Sequence, residues 1–153
     1  MVIDTSALVA ILFDEPERPA FRHAIVEAEE CFLSATSLVE CATLIERRRG
    51  SRGSVELDLF IAKAGITVTP FDADQARLAR LVYRRFGKGT HSARLNLGDC
   101  FSYALAKGLD QPLLFKGQDF PHTDVQCHPA STTITMVNEP AATYAVGGSR
   151  LAV

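Results

Sequence analysis

Four short apolar runs set the frame of this sequence: Val2-Ile3, Cys31-Phe32-Leu33, Ile66-Thr67-Val68-Thr69 and Leu113-Leu114-Phe115. Each is too short for a helix, and the stretches between them carry helix caps and helical spacing. Strands that alternate with helices, often two helices per crossover, make a parallel sheet covered on both faces. The expected fold is therefore α/β, a parallel sheet of four to five strands flanked by helices on both faces. The fifth strand is a possible edge at Val125-Gln126-Cys127.

The helices follow from their punctuation. Thr5 or Ser6 caps a helix over Ala7 to Leu12, and Asp14-Glu15 opens one that reaches Glu30. Ser34 to Ser37 cap a helix that ends at Gly50 behind Arg47-Arg48-Arg49, and Ser54 starts another that closes at Gly65. Asp72 or Asp74 starts a helix to Phe86. Asn96 caps one from Leu97 to Lys107, stopped by Gly108.

At 153 residues, 47% of them hydrophobic and 22% charged, the chain suits one globular domain. Residues 1–128 carry the whole pattern. Beyond them the sequence is Ser, Thr, Ala and Gly with almost no charge, so 129–153 is expected to be a weakly ordered tail. No apolar run approaches the ~18 residues that a membrane span requires, so no membrane association is expected. The start, Met1-Val2-Ile3-Asp4, lacks the basic region of a signal peptide. Cys31, Cys41, Cys100 and Cys127 form no CxxC pair, so free thiols in a cytoplasmic protein are expected rather than a zinc knuckle.

Four acids stand out by position. Asp4 ends the first strand, and open parallel sheets bind ligands beyond the carboxyl ends of their strands. A helix cap explains Asp4 equally well. Glu40 flanks the apolar stripe Leu38, Cys41, Ala42 and Ile45, although Ser37-Leu38-Val39-Glu40 also reads as a capping box. Asp99 lies in the first turn of the helix that Asn96 caps, where an acid also serves the helix dipole. Gly98 beside it leaves room for a close approach. Asp119 follows the fourth strand in Lys116-Gly117-Gln118-Asp119, with Asp124 as a rival and an ordinary turn as the plain alternative.

Such acids, gathered at one edge, repel by about 3 kcal/mol per pair at 5 Å and an effective dielectric of ~20. A cluster of this kind must take up protons or a cation. Oxygen ligands select hard ions, Mg2+ or Mn2+, and that points to metal-assisted phosphodiester cleavage. The sequence lacks an HExxH pair, a GxSxG elbow, a Walker loop and a GxGxxG turn.

The net charge of −2 hides a strong asymmetry. Between Asp74 and Asp99 there is no acid, while Arg77, Arg80, Arg84, Arg85, Lys88 and Arg94 all lie there. A solvated helix face accounts for such a run, but local charge also sets the field that a polyanion meets.

Together, Val2-Ile3-Asp4-Thr5-Ser6-Ala7-Leu8, Glu40, Leu97-Gly98-Asp99-Cys100-Phe101 and Leu113-Leu114-Phe115-Lys116-Gly117-Gln118-Asp119-Phe120 resemble a PIN domain. More narrowly, the chain resembles the VapC toxins of type II toxin–antitoxin systems, over about residues 1–128. The resemblance implies a Mg2+- or Mn2+-dependent endoribonuclease with Asp4, Glu40, Asp99 and Asp119 as its acids, Asp4 and Asp99 foremost in holding metal. Thr5 or Ser6 would support them by hydrogen bonds. It further implies a homodimer, a cognate antitoxin that blocks the site, and operator DNA bound only through that antitoxin.

Hydrolysis by a metal-activated water would leave a 3′-hydroxyl and a 5′-phosphate. The stretch Arg77–Arg94 would hold the RNA backbone, with Tyr83, Phe86 and Tyr103 as candidates to stack on bases, although core packing is the better reading of Phe86. Two other readings stand beside this one. The first is a phosphatase or phosphotransferase with Asp4 as nucleophile, although Ser6 occupies the place where a second acid is usual. The second is a catalytically silent PIN scaffold that only binds partners.

Overall fold

The computed structural model describes residues 1–131. Four parallel strands, β1 (Val2–Ile3), β2 (Cys31–Ser34), β3 (Ile66–Thr69) and β4 (Leu113–Leu114), lie in the order β3-β2-β1-β4. Val2 pairs with Phe32 and Leu113, and Ile3 with Leu114. Side chains alternate along a strand, so this register sorts them onto two faces. Ile3, Leu33 and Leu114 join Leu8, Phe21, Ile45 and Leu57 in one core. Val2, Leu113 and Phe115 join Val82, Phe86, Tyr103 and Leu105 in the other. Helices α1 (Thr5–Leu12), α2 (Arg18–Glu27) and α3 (Ala35–Ala64) supply the first core, and α4 (Ala73–Phe86) and α5 (Leu97–Leu109) the second. Both faces are covered, as the buried strands require.

The segment 125–127 joins the sheet by a single parallel bridge, Leu113 to Cys127, and falls short of a fifth strand. Residues 129–131, assigned to the tail by composition, continue the fold. Ser131 Oγ accepts from Phe115 N at 3.1 Å and donates to Leu113 O at 3.2 Å. The rest of that tail, 132–153, lies outside the described residues.

Several boundaries differ from those expected, each for a local reason. The first helix starts at Thr5, because Asp4 rather than Thr5 or Ser6 is its cap. α2 begins only at Arg18, since Asp14 is left-handed (φ 59°) and Glu15 precedes a proline, which disfavours helix, and it stops at Glu27 because the backbone turns extended at Ala28. Gly50 breaks α3 with φ 63°, but the helix resumes at once instead of at Ser54. α5 runs through Gly108 to Leu109 and ends on Asp110, itself left-handed at φ 50°.

Candidate active site at the carboxyl edge of the sheet

Asp4 leaves β1 at the carboxyl edge and is only 4% exposed. Its Oδ2 accepts from Ser6 N at 2.9 Å and from Ser6 Oγ at 2.6 Å. Asp4 is thus both the helix cap and a buried acid, so the two readings of this residue are not exclusive. Ser6 Oγ in turn accepts from Lys116 N at 3.0 Å, which ties the end of β4 to the Asp4 cap.

Glu40 is not part of a capping box. β2 ends at Ser34, which caps α3, so Ser37 is already inside the helix. Ser37 is buried, with its Oγ 3.2 Å from Ser102 Oγ on α5. Glu40 is therefore carried to the second turn, where Thr5 Oγ1 donates to its Oε2 at 3.0 Å. Burial and, less strongly, Asp4 raise the Glu40 carboxyl above its ordinary range, against the Thr5 bond.

Asp99 closes a reciprocal box with Asn96. Asn96 N donates to Asp99 Oδ2 at 2.7 Å, and Asp99 N to Asn96 Oδ1 at 3.0 Å. The box aims the first turn of α5 at β1. Burial and the charge of Asp4 push the Asp99 pKa up to about 7, with smaller contributions from Asp119 and Glu40. The Asn96 N–H opposes this rise. Asp4, Thr5, Ser6, Val9, Glu40, Leu44, Asn96 and Asp99 line a cleft of about 220 Å³. A larger cleft, about 560 Å³, opens around Met1, Ala24, Pro112 and Ala130, away from these acids.

Asp119 stands on the exposed rim, just before the 3-10 turn Phe120–His122. Partial burial and Asp4 raise its pKa, while Arg94 and His122 lower it. It shares the field of Asp4 and Asp99 without lining the cleft. Asp124 is engaged elsewhere, with the Tyr103 hydroxyl, with Arg85 at 3.3 Å and, through its carbonyl, with Lys107.

The basic stretch divides into two sets. Arg77 pairs with Asp74, and Arg85 pairs with Asp124 while lying 4.6 Å over the Phe86 ring. Arg80, Arg84, Lys88 and Arg94 are exposed and form no ion pair among the described residues. Tyr83 is exposed, but Phe86 and Tyr103 are buried in the second core and cannot stack on a base.

No local sequence pattern marks Lys116 as a clamp. Its Nζ donates to Glu15 at 2.7 Å and Glu17 at 2.9 Å, holding the α1–α2 connection against the end of β4. Partners about a hundred residues away, at separations of 101 and 99, leave no local signal.

Among the described residues, no group of three or more His, Cys, Asp or Glu side chains is arranged to hold a metal ion by itself. The donors that are present fit an ion that keeps much of its own water. Mg2+ takes one or two carboxylates together with waters and substrate phosphate. Burial raises Asp99 and Glu40 most, and the charge of Asp4 adds to it; that added repulsion is the field a divalent cation would relieve.

The PIN domain family model matches residues 1–126. Ribonuclease VapC of Mycolicibacterium smegmatis (strain ATCC 700084 / mc(2)155) is 55% identical over 125 residues, 82% of this chain and 97% of that protein. Ribonuclease VapC30 of Mycobacterium tuberculosis (strain ATCC 25618 / H37Rv) is 53% identical, covering 82% and 95%. Among solved structures, Mycobacterium tuberculosis VapC20, described as a sarcin-ricin-loop-cleaving toxin, superposes with a TM-score of 0.67 at 20% identity, covering 81% of this chain and 95% of that one. A toxin–antitoxin complex from Klebsiella pneumoniae gives 0.59 at 16%, covering 88% and 95%. At these identities the two structures speak for the fold.

Proposed function

The chain belongs to the PIN-domain family, with the VapC ribonucleases as its relatives, and from that premise we propose that it is a metal-dependent endoribonuclease acting as the toxin of a toxin–antitoxin pair. One observation carries the reading: β1, α3 and α5 bring Asp4, Glu40 and Asp99 to one cleft at the carboxyl edge of the sheet. Asp4 and Asp99 would hold Mg2+ or Mn2+. When bound, such an ion would polarise a phosphodiester and ready a water for attack on phosphorus.

The chain's own residues do the rest. Ser6 fixes the Asp4 carboxylate, and Asn96 fixes that of Asp99. Glu40, braced by Thr5, is the base nearest to hand for a proton released in the cleft, and its raised pKa suits that role. Asp119 adds negative charge at the rim, beside Arg94. Arg80, Arg84, Lys88 and Arg94 would hold the flanking RNA backbone by charge.

The toxin–antitoxin complex among the solved neighbours supports a protein partner for this chain. A cognate antitoxin polypeptide would mask the cleft and bring the pair to operator DNA, and the toxin itself would be a cytoplasmic homodimer. Among the described residues, no helix is long and apolar enough to cross a membrane.

Brief exposure of cellular RNA to the purified protein, followed by mapping of new ends, tests the activity. Cleavage is expected with Mg2+ or Mn2+, leaving 5′-phosphates, and is expected to be lost in EDTA and in Asp4→Asn or Asp99→Asn protein. Cleavage that survives EDTA, or survives both substitutions, refutes the reading.

A further inference from the structure

We infer that Gly98 is a positioning residue of the acid cleft: the missing side chain there lets the Glu40 carboxylate lean over the first turn of α5 toward Asp4 and Asp99. The inference rests on reading the cleft as the active site. A Cβ placed at Gly98 would meet Glu40 Oε1 and Oε2 at 2.6 Å each and Cδ at 2.8 Å. These are its three nearest atoms, so a carboxylate, and not the packing of the fold, claims the space.

The backbone gives glycine no other reason to be here. Gly98 is the second residue of α5 and is not among the positive-φ glycines. Alanine is the better helix former at such a position. Gly53 and Gly87 differ, because a Cβ at those sites would meet Ile45 Cγ2 and the Tyr83 carbonyl oxygen, neighbours that belong to the fold itself.

Thr5 Oγ1 also holds Glu40, donating to its Oε2 at 3.0 Å. The carboxylate is thus held by a hydroxyl and lies against bare helix backbone. A methyl group at 98 would occupy the space that the carboxylate now fills. Glutamate has a flexible side chain, so its carboxylate swings away while the helix stays in place.

The test is a cycle of Gly98→Ala, Glu40→Ala and the double variant. It is read by melting temperature without metal, by Mn2+ titration and by RNA cleavage. Gly98→Ala is expected to fold and to lose about 10–100-fold in cleavage, the range for groups that orient active-site ligands, with a smaller loss of Mn2+ affinity because Asp4 and Asp99 stay in place. Added to Glu40→Ala, it should cause no further loss. It should also raise the melting temperature more in that background than in wild type, because the new methyl then meets no carboxylate.

Wild-type affinity and cleavage in Gly98→Ala, or the same change in both backgrounds, overturns the inference. If Gly98→Ala alone does not fold, the double variant decides. Folding of the double variant identifies Glu40 as the clash, and its failure assigns Gly98 to the fold. A wild-type protein that cleaves no RNA refutes the nuclease reading instead. The melting cycle needs neither RNA nor metal and still judges Gly98.

Discussion

Asp99 shows how one side chain serves fold and site at once. Its Oδ2 closes the box at the head of α5, yet burial and Asp4 push its pKa up to about 7. The unfolded value is near 3.8. An acid raised on folding opposes stability in its charged form. The penalty is absent below about pH 4, grows between pH 4 and 7, and is complete above pH 7. Asp99→Asn keeps an oxygen that can accept from Asn96 N and removes the charge. In EDTA at pH 8 the variant should be more stable than wild type, by up to about 4 kcal/mol at ~1.4 kcal/mol per pKa unit, with the difference fading toward pH 4. Urea denaturation at the two pH values checks this, and a variant less stable at pH 8 would leave Asp99 as a helix-end residue alone. Its place was legible from Asn96 and the strand ends. Its raised pKa was not, since that depends on Asp4, Asp119 and Glu40 across the chain. Tyr103 points the other way: its ring suits base stacking by residue type, but the ring is buried and the hydroxyl is bound to Asp124.

At the scale of elements, periodicity and punctuation located β1 to β4 and α1 to α5, because each buries a face with its own spacing. What they misplaced were ends governed by tertiary packing. Ser37-Leu38-Val39-Glu40 has the letters of a capping box, but β2 stops at Ser34 and the helix starts there, which turns Glu40 toward α5. Gly108 looked like a stop, yet α5 continues to an Asp110 cap. The basic element α4 and the loop after it show the same division. Sequence places six cations there, and the structure pairs Arg77 with Asp74 and Arg85 with Asp124. Exposed pairs are weak but must be broken before the cation can serve a phosphate. Neutralising Arg84 and Lys88 should therefore lower the salt slope of RNA binding by about 0.7 for each phosphate left without its cation. Neutralising Arg77 should lower it less. Binding isotherms at several salt concentrations decide, and equal slopes for Arg84→Ala, Lys88→Ala and wild type would remove this stretch from the RNA path.

Over the whole molecule, the parallel sheet gathers at one edge what the chain keeps far apart. Asp4, Glu40 and Asp99 reach that edge from a strand end, a helix turn and a helix start, and Lys116 locks β4 to the α1–α2 connection beside them. The edge was legible, because strand direction fixes it. The Thr5–Glu40 bond and the Lys116 clamp were not, because each joins segments that share no local pattern. Glu40 and Asp99, raised on folding, work against stability in their charged forms, a penalty that the proposed cation would relieve. A ligand that binds only the native state stabilises it by RT ln(1 + [L]/Kd), about 2.7 kcal/mol at a hundredfold excess over Kd. For a domain of this size that is a rise of roughly 5–10 °C in melting temperature. Mg2+ or Mn2+ should produce such a rise in wild type, a much smaller one in Asp4→Asn and Asp99→Asn, and an unaltered one in Asp124→Asn, whose carboxylate lies outside the cleft. Thermal melts of the four proteins, with EDTA and with metal, measure this. An equal rise in all four would place the ion elsewhere on the molecule and leave the acid cleft without its cation.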